Sequence, residues 1–204
     1  MKTYNIQFKR HALPAALIAT LATATVVASS VAPSEARPAD EATLKYGEYL
    51  TTIGGCHDCH TPLKMGPNGP EPDMTRKFAG HPANMQMPPP TKLAEPWMWQ
   101  GSATNTAFAG PWGVSYAANL TSHKPTGMGS WKAEDFIRAI RTGKHIGVGR
   151  PIMPPMPWQN YAQMTDKDLL AMFEYLQSVP PMDNRVPDYQ PPVMAKTTAK
   201  SSTK

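Results

Sequence analysis

Apolar residues recur at helical spacing in three stretches of the chain. Over 40–55, Leu44, Gly47, Leu50 and Ile53 fall on one face, Asp40 is placed to cap the start and Gly54-Gly55 to end it, so a first helix is predicted. Over 131–142, Ser130 is placed as N-cap, Glu134 and Asp135 occupy the first turn, Phe136, Ile137 and Ile140 face inward, and Gly143 is the stop. Over 166–178, Thr165 is the cap, Leu169, Leu170, Phe173 and Leu176 make the apolar face, and Val179-Pro180-Pro181 ends it. Between them, 61–118 and 144–164 are rich in Pro, Gly and Met, sustain no period and read as long loops. A loop of the first one's length inside a compact domain requires a functional or structural reason.

Composition supports that reading. Hydrophobic residues make up 41% of the 204 residues, enough for a core, while 23 prolines keep helices short. The formal net charge is +5, but Lys2, Lys9 and Arg10 contribute three of the positive charges. No run of Lys and Arg with interleaved aromatics points to nucleic acid. Those three charges open a further pattern: no charge appears from Ala12 to Val31, and Ser34-Glu35-Ala36 places small residues for a cut after Ala36. This is the three-part form of a secretory signal peptide. The expected organisation is a signal peptide over 1–36, a folded domain over 37–186 and a disordered, Pro-, Lys-, Thr- and Ser-rich tail over 187–204. The expected location is periplasmic after cleavage, with membrane anchoring the alternative should the leader be retained.

The two cysteines sit in Cys56-His57-Asp58-Cys59-His60, the C-x-x-C-H pattern of haem c attachment. Two intervening residues let both sulfurs reach vinyl groups on one edge of the macrocycle, and the following histidine lies beneath the iron as its proximal ligand. A zinc site needs four N or S ligands, and no second cysteine pair exists; His81, His123 and His145 lack zinc-finger spacing. A thioredoxin-like C-x-x-C needs a βαβ pattern, which is missing here. For the sixth ligand, the run Pro151-Ile152-Met153-Pro154-Pro155-Met156-Pro157-Trp158 is the informative one among 13 methionines, because prolines stiffen a loop around a sulfur. From the residues alone, either Met153 or Met156 serves.

These segments, taken in order, resemble class I cytochromes c, and within them the bacterial branch related to the cytochrome c subunits of alcohol and gluconate dehydrogenases. The resemblance is carried by Gly47-Glu48-Tyr49-Leu50, Cys56 to His60, Ala118-Asn119-Leu120-Thr121, Thr126-Gly127-Met128-Gly129-Ser130-Trp131, Pro155-Met156-Pro157-Trp158 and the Thr165-to-Leu176 helix. It spans about residues 44–180. It implies an all-α class I fold of short helices around one covalent haem c and its iron, with Gly47 crossing the face of Phe173 and Leu176. It implies Met156 as axial ligand opposite His60, and Asn119 and Trp131 as residues beside the haem. It implies an electron carrier that is not itself an enzyme, exchanging electrons with a redox partner such as a dehydrogenase or a terminal oxidase. The competing class is a haem enzyme or sensor with an open sixth position. Dehydrogenase subunits of this kind typically carry three haem motifs where this chain has one, and the Pro/Met/Trp-rich insertion over 61–112 exceeds what a minimal cytochrome needs. Met65, Met74, Met85, Met87, Met98 and His81 in that insertion could bind copper; gap-filling and cover for the haem edges is the preferred reading.

Overall fold

The computed structural model describes residues 39–192; the predicted signal peptide over 1–36 and the tail beyond residue 192 lie outside the described residues. Among the described residues the chain forms helices α1 (Glu41–Ile53), α2 (Cys56–His60), α3 (Ala133–Thr142), α4 (Trp158–Tyr161) and α5 (Asp166–Ser178), and strands β1 (Leu63–Gly66), β2 (Gly69–Pro72), β3 (Gln100–Gly101), β4 (Ala107–Gly110) and β5 (Gly113–Tyr116). The architecture is therefore mixed α and β, which corrects the expected all-α class.

The three long helices lie where periodicity placed them, and their ends follow local chemistry. Asp40 caps α1 by accepting from the Thr43 N–H at 2.8 Å. For α3 the expected cap, Ser130, is displaced by two residues. Lys132 holds the N-cap position, and its N–H is taken by Asp135 Oδ2 at 3.1 Å. Gly143 ends α3 at φ 63°, a left-handed conformation that glycine adopts without a Cβ penalty. At α5 the cap is reciprocal: Asp168 N–H donates to Thr165 Oγ1 at 3.2 Å and Thr165 N–H to Asp168 Oδ2 at 3.1 Å. Asp168 also accepts from the Tyr46 hydroxyl at 2.8 Å, tying the cap to α1. Thr165→Ala is expected to lower unfolding free energy by about 1 kcal/mol, read from the denaturant midpoint, because the orphan Asp168 N–H loses its side-chain acceptor.

The stretch over 61–118, expected to be loop, contains both sheets. In each, a Gly-Pro-x-Gly turn folds the chain back: Gly66 pairs with Gly69 around Pro67-Asn68, and Gly110 pairs with Gly113 around Pro111-Trp112. Proline presets φ at the first central position, and the closing glycines stand at φ 117° and 99°. The strands run two to four residues and do not alternate buried with exposed, so they carry no period-two signal. β3, β4 and β5 form one antiparallel sheet, and Gln190 adds to its β5 edge through two backbone bonds with Val114 at 2.8 and 2.9 Å.

The core lies between α1, α3 and α5, where Leu50, Phe136, Ile140, Leu169, Phe173 and Leu176 are buried together. Leu170, expected inward, is 40% exposed. Gly47 allows the closest approach of α1 to α5. An ideal Cβ there would lie 2.0 Å from the Ala171 carbonyl oxygen and 2.7 Å from Tyr175 Cβ. The crossing thus runs over Ala171 and Tyr175, one helical turn apart, rather than over Phe173 and Leu176. No helix among the described residues is long and apolar enough to cross a membrane.

Candidate functional site

Helix α1 hands the chain directly to the cysteine motif. Gly54 closes α1, and Gly55, at φ 65°, turns the backbone so that α2 starts at Cys56. An α-helix advances 100° per residue, so this short helix brings residues three and four apart onto one side. Cys56, Cys59 and His60 accordingly line a common cavity of about 460 Å3. That size lies in the range of roughly 300–1,000 Å3 that encloses a cofactor-sized ligand.

His60 is held from behind. Its Nδ1 lies 2.8 Å from the Ala118 carbonyl, which only accepts, so Nδ1 carries the proton and Nε2 keeps its lone pair. Burial lowers the His60 pKa, with the Ala118 bond acting in the opposite direction, so the ring is neutral and able to ligate. Burial pushes the Cys56 thiol up to about 12, and burial followed by the Asp58 carboxylate also raises Cys59. Both shifts favour the protonated thiol. Among the described residues no three His, Cys, Asp or Glu side chains converge as an ion site.

The same cavity is lined by Met153, Pro154, Pro155, Met156 and Pro157. Met156 packs against the hydrophobic core, whereas Met153 is not part of that contact set. Leu120, Met128, Phe136, Ile140, Leu169 and Met172 complete a largely apolar wall. Trp131 lines it too and meets His145 edge to face at 5.0 Å between ring centroids. Asn119 does not line it. This residue is buried with its side chain spent on chain segments: Nδ2 donates to the Met182 carbonyl at 2.8 Å, and Oδ1 accepts from Thr121 N–H and Oγ1 at 3.0 and 2.7 Å. The structure thus brings together Cys56, Cys59, His60, Met153, Met156 and Trp131, and leaves Asn119 as a brace.

Tyr161, Arg150 and His145 are among the further residues that line the cavity and that the sequence pattern does not place there. Tyr161 donates its hydroxyl to the Gly54 carbonyl at 2.5 Å, joining α4 to the turn before Cys56. Burial raises that hydroxyl to about 12, so it remains a donor. Arg150 and His145 also reach the cavity, and burial lowers the His145 pKa, with Arg150 adding to the effect. Arg150 stands next to the proline-methionine run, and that adjacency was the only signal available. His81, weighed as a copper ligand, is fully buried with both ring nitrogens occupied, Nδ1 by Thr106 Oγ1 and Nε2 by the Met85 carbonyl, each at 2.9 Å. Met65, Met74 and Met98 are exposed instead of gathered around it.

The chain is similar to the cytochrome c subunit of a quinone-dependent alcohol dehydrogenase from Gluconobacter oxydans, at 28% identity over 82% of this chain and 28% of the relative. It is 30% identical to the gluconate 2-dehydrogenase cytochrome c subunit of Pantoea cypripedii over 67% of this chain and 23% of the relative. It is 27% identical to the fructose dehydrogenase cytochrome subunit of Gluconobacter japonicus over 78% of this chain and 26% of the relative. The chain therefore spans about a quarter of the length of the curated relatives it matches. No protein-family model matches it.

Proposed function

We propose that this chain, a c-type cytochrome resembling the cytochrome c domains of alcohol and gluconate dehydrogenase subunits, carries one electron at a time on a single covalent haem c in the periplasm. The observation that carries the reading is one cavity lined by Cys56, Cys59 and His60 together with Met153 and Met156. Two thiols one turn apart, a neutral imidazole with a free Nε2, thioethers and apolar walls are the donor set a haem c requires.

Cys56 and Cys59 would hold the group by thioether bonds, His60 Nε2 would ligate the iron, and Met156 would fill the sixth position. When bound, the haem supplies one-electron redox chemistry. The protein's part is to fix both ligands, exclude water and keep the macrocycle in low-polarity surroundings, which with His/Met ligation raises the potential. The Ala118 carbonyl orients His60 and raises its basicity. Trp131, which lines the cavity, would pack against the group. The leader would direct the chain to the periplasm, where a dehydrogenase of the kind named for the relatives would reduce it and a further redox protein, such as a terminal oxidase, would oxidise it.

The test is the visible spectrum of the protein matured with haem, oxidised and reduced, with and without carbon monoxide. The expected outcome is haem that stays on the polypeptide under denaturing conditions and a reduced spectrum that carbon monoxide leaves unchanged. Ready binding of carbon monoxide would mean an open iron and a haem enzyme or sensor. Haem extractable by acidified solvent would overturn the roles of Cys56 and Cys59.

A further inference from the structure

The proline-methionine run is poorly able to hold itself. Pro151, Pro154, Pro155 and Pro157 have no N–H, so four of seven residues cannot donate a backbone bond. The backbone bonds of the run are Ile152 N–H to Gly143 O at 2.8 Å, Met156 N–H to Met153 O at 3.3 Å and, at its C-terminal end, Trp158 N–H to Met156 O at 2.9 Å and Asn160 N–H to Pro157 O at 3.0 Å, so the carbonyls of Pro154 and Pro155 have no backbone partner among the described residues. Only one side chain among the described residues hydrogen-bonds to it. The Ser115 hydroxyl on β5 donates to the Pro154 carbonyl at 2.6 Å, midway between Met153 and Met156.

The direction of that bond is settled by its neighbour. Trp112 Nε1 lies 3.2 Å from Ser115 Oγ, and an indole N–H only donates. The hydroxyl accepts from Trp112 and sends its own proton to a carbonyl. Pro154 O at 2.6 Å outcompetes Phe108 O at 3.4 Å. Ser115 is 6% exposed, so water does not readily replace the bond. Three residues on, the Ala118 carbonyl takes the His60 Nδ1 proton.

We infer that Ser115 is a positioning residue for the axial methionine: its hydroxyl pins the Pro154 carbonyl, making the 115–118 segment a common support for both axial ligands. This rests on the proposed ligation by a methionine of the 153–156 run. It also explains the insertion over 61–112. The β3–β5 sheet continues from it and delivers a donor to a loop whose prolines leave it short of its own bonds. A polar bond to the backbone between the two methionines restricts how far the sulfur can swing from the iron without itself touching the iron.

The measurement is imidazole binding to the oxidised, haem-loaded protein, alongside thermal denaturation. Imidazole must displace the methionine, so its affinity reads how firmly the sulfur is held. Ser115→Ala is expected to keep covalent haem and bind imidazole about three- to tenfold more tightly, the factor that one buried hydrogen bond's net contribution converts to. Trp112→Phe, which removes only the indole donor, is expected to shift affinity the same way by a smaller factor, and it decides the matter should Ser115→Ala fail to mature. Met156→Ala and Met153→Ala serve as controls. If neither changes imidazole affinity, the ligation reading itself fails. If one of them does while Ser115→Ala lowers only the melting temperature and leaves affinity within about twofold of the parent, Ser115 is merely structural and the inference is overturned.

Discussion

Replacing Gly47 by valine is expected to lower the melting temperature of the haem-loaded protein sharply. The obstacle is backbone, not a movable side chain: a Cβ at Gly47 would stand 2.0 Å from the Ala171 carbonyl oxygen and 2.7 Å from Tyr175 Cβ. Valine adds two further carbons to that Cβ. Helices α1 and α5 could accommodate them only by moving apart, which would uncover Leu50, Leu169 and Leu176 from the core they share. Overpacking typically costs about 1–3 kcal/mol and more where backbone must move, against a total stability of about 5–15 kcal/mol. At 3 kcal/mol or more, the melting temperature would fall by roughly 6–12 °C or beyond. The effect should reach the site as well, because α1 ends in the Gly54-Gly55 turn that launches Cys56. Ile53→Ala provides the contrast, since Ile53 is 62% exposed and such substitutions usually stay within about 0.5 kcal/mol. Thermal denaturation followed by the haem absorbance makes the comparison. A Gly47→Val protein melting with the parent would show that the two helices do not meet at this residue.

Met156→Ala is expected to turn a closed iron into an open one. Carbon monoxide should go from no detectable binding to stoichiometric binding in the reduced protein, and the midpoint potential should fall, because a thioether ligand stabilises the reduced iron. Met153→Ala should change both properties much less. Packing supports the asymmetry: Met156 rests against the hydrophobic core and Met153 does not, so its sulfur has the better-defined position. Truncating a half-buried methionine should also cost roughly 2 kcal/mol, and this must be separated from the ligand effect. Carbon monoxide titration of both variants at a temperature well below either melting point separates them. Equal responses would remove the assignment of Met156, and a response confined to Met153→Ala would transfer it.

The sequence by itself determined the parts that depend on local pattern. Three apolar faces at helical spacing specified α1, α3 and α5, and capping chemistry at Asp40, Gly143 and Thr165 set their ends close to where they stand. The C-x-x-C-H run put its two thiols and the following imidazole on one side of a short helix, because spacing within five residues is a local property. Two turn signals were present but unread. Gly66-Pro67-Asn68-Gly69 and Gly110-Pro111-Trp112-Gly113 both announce hairpins, yet their strands are too short to show alternation, so the insertion read as loop and nothing opposed the all-α fold that the family resemblance implied. Other features had no sequence signature at all. That Tyr161 reaches Gly54 across 107 positions, that Ser115 meets Pro154 across 39, and that Asn119 turns away from the cavity to brace 182–184 follow from where the insertion's sheet and the returning helix settle on the core. Periodicity reports which face of an element seeks burial. Only the packed tertiary structure decides which distant backbone group a buried donor finds, because that partner is chosen by the need to satisfy every polar group left without water.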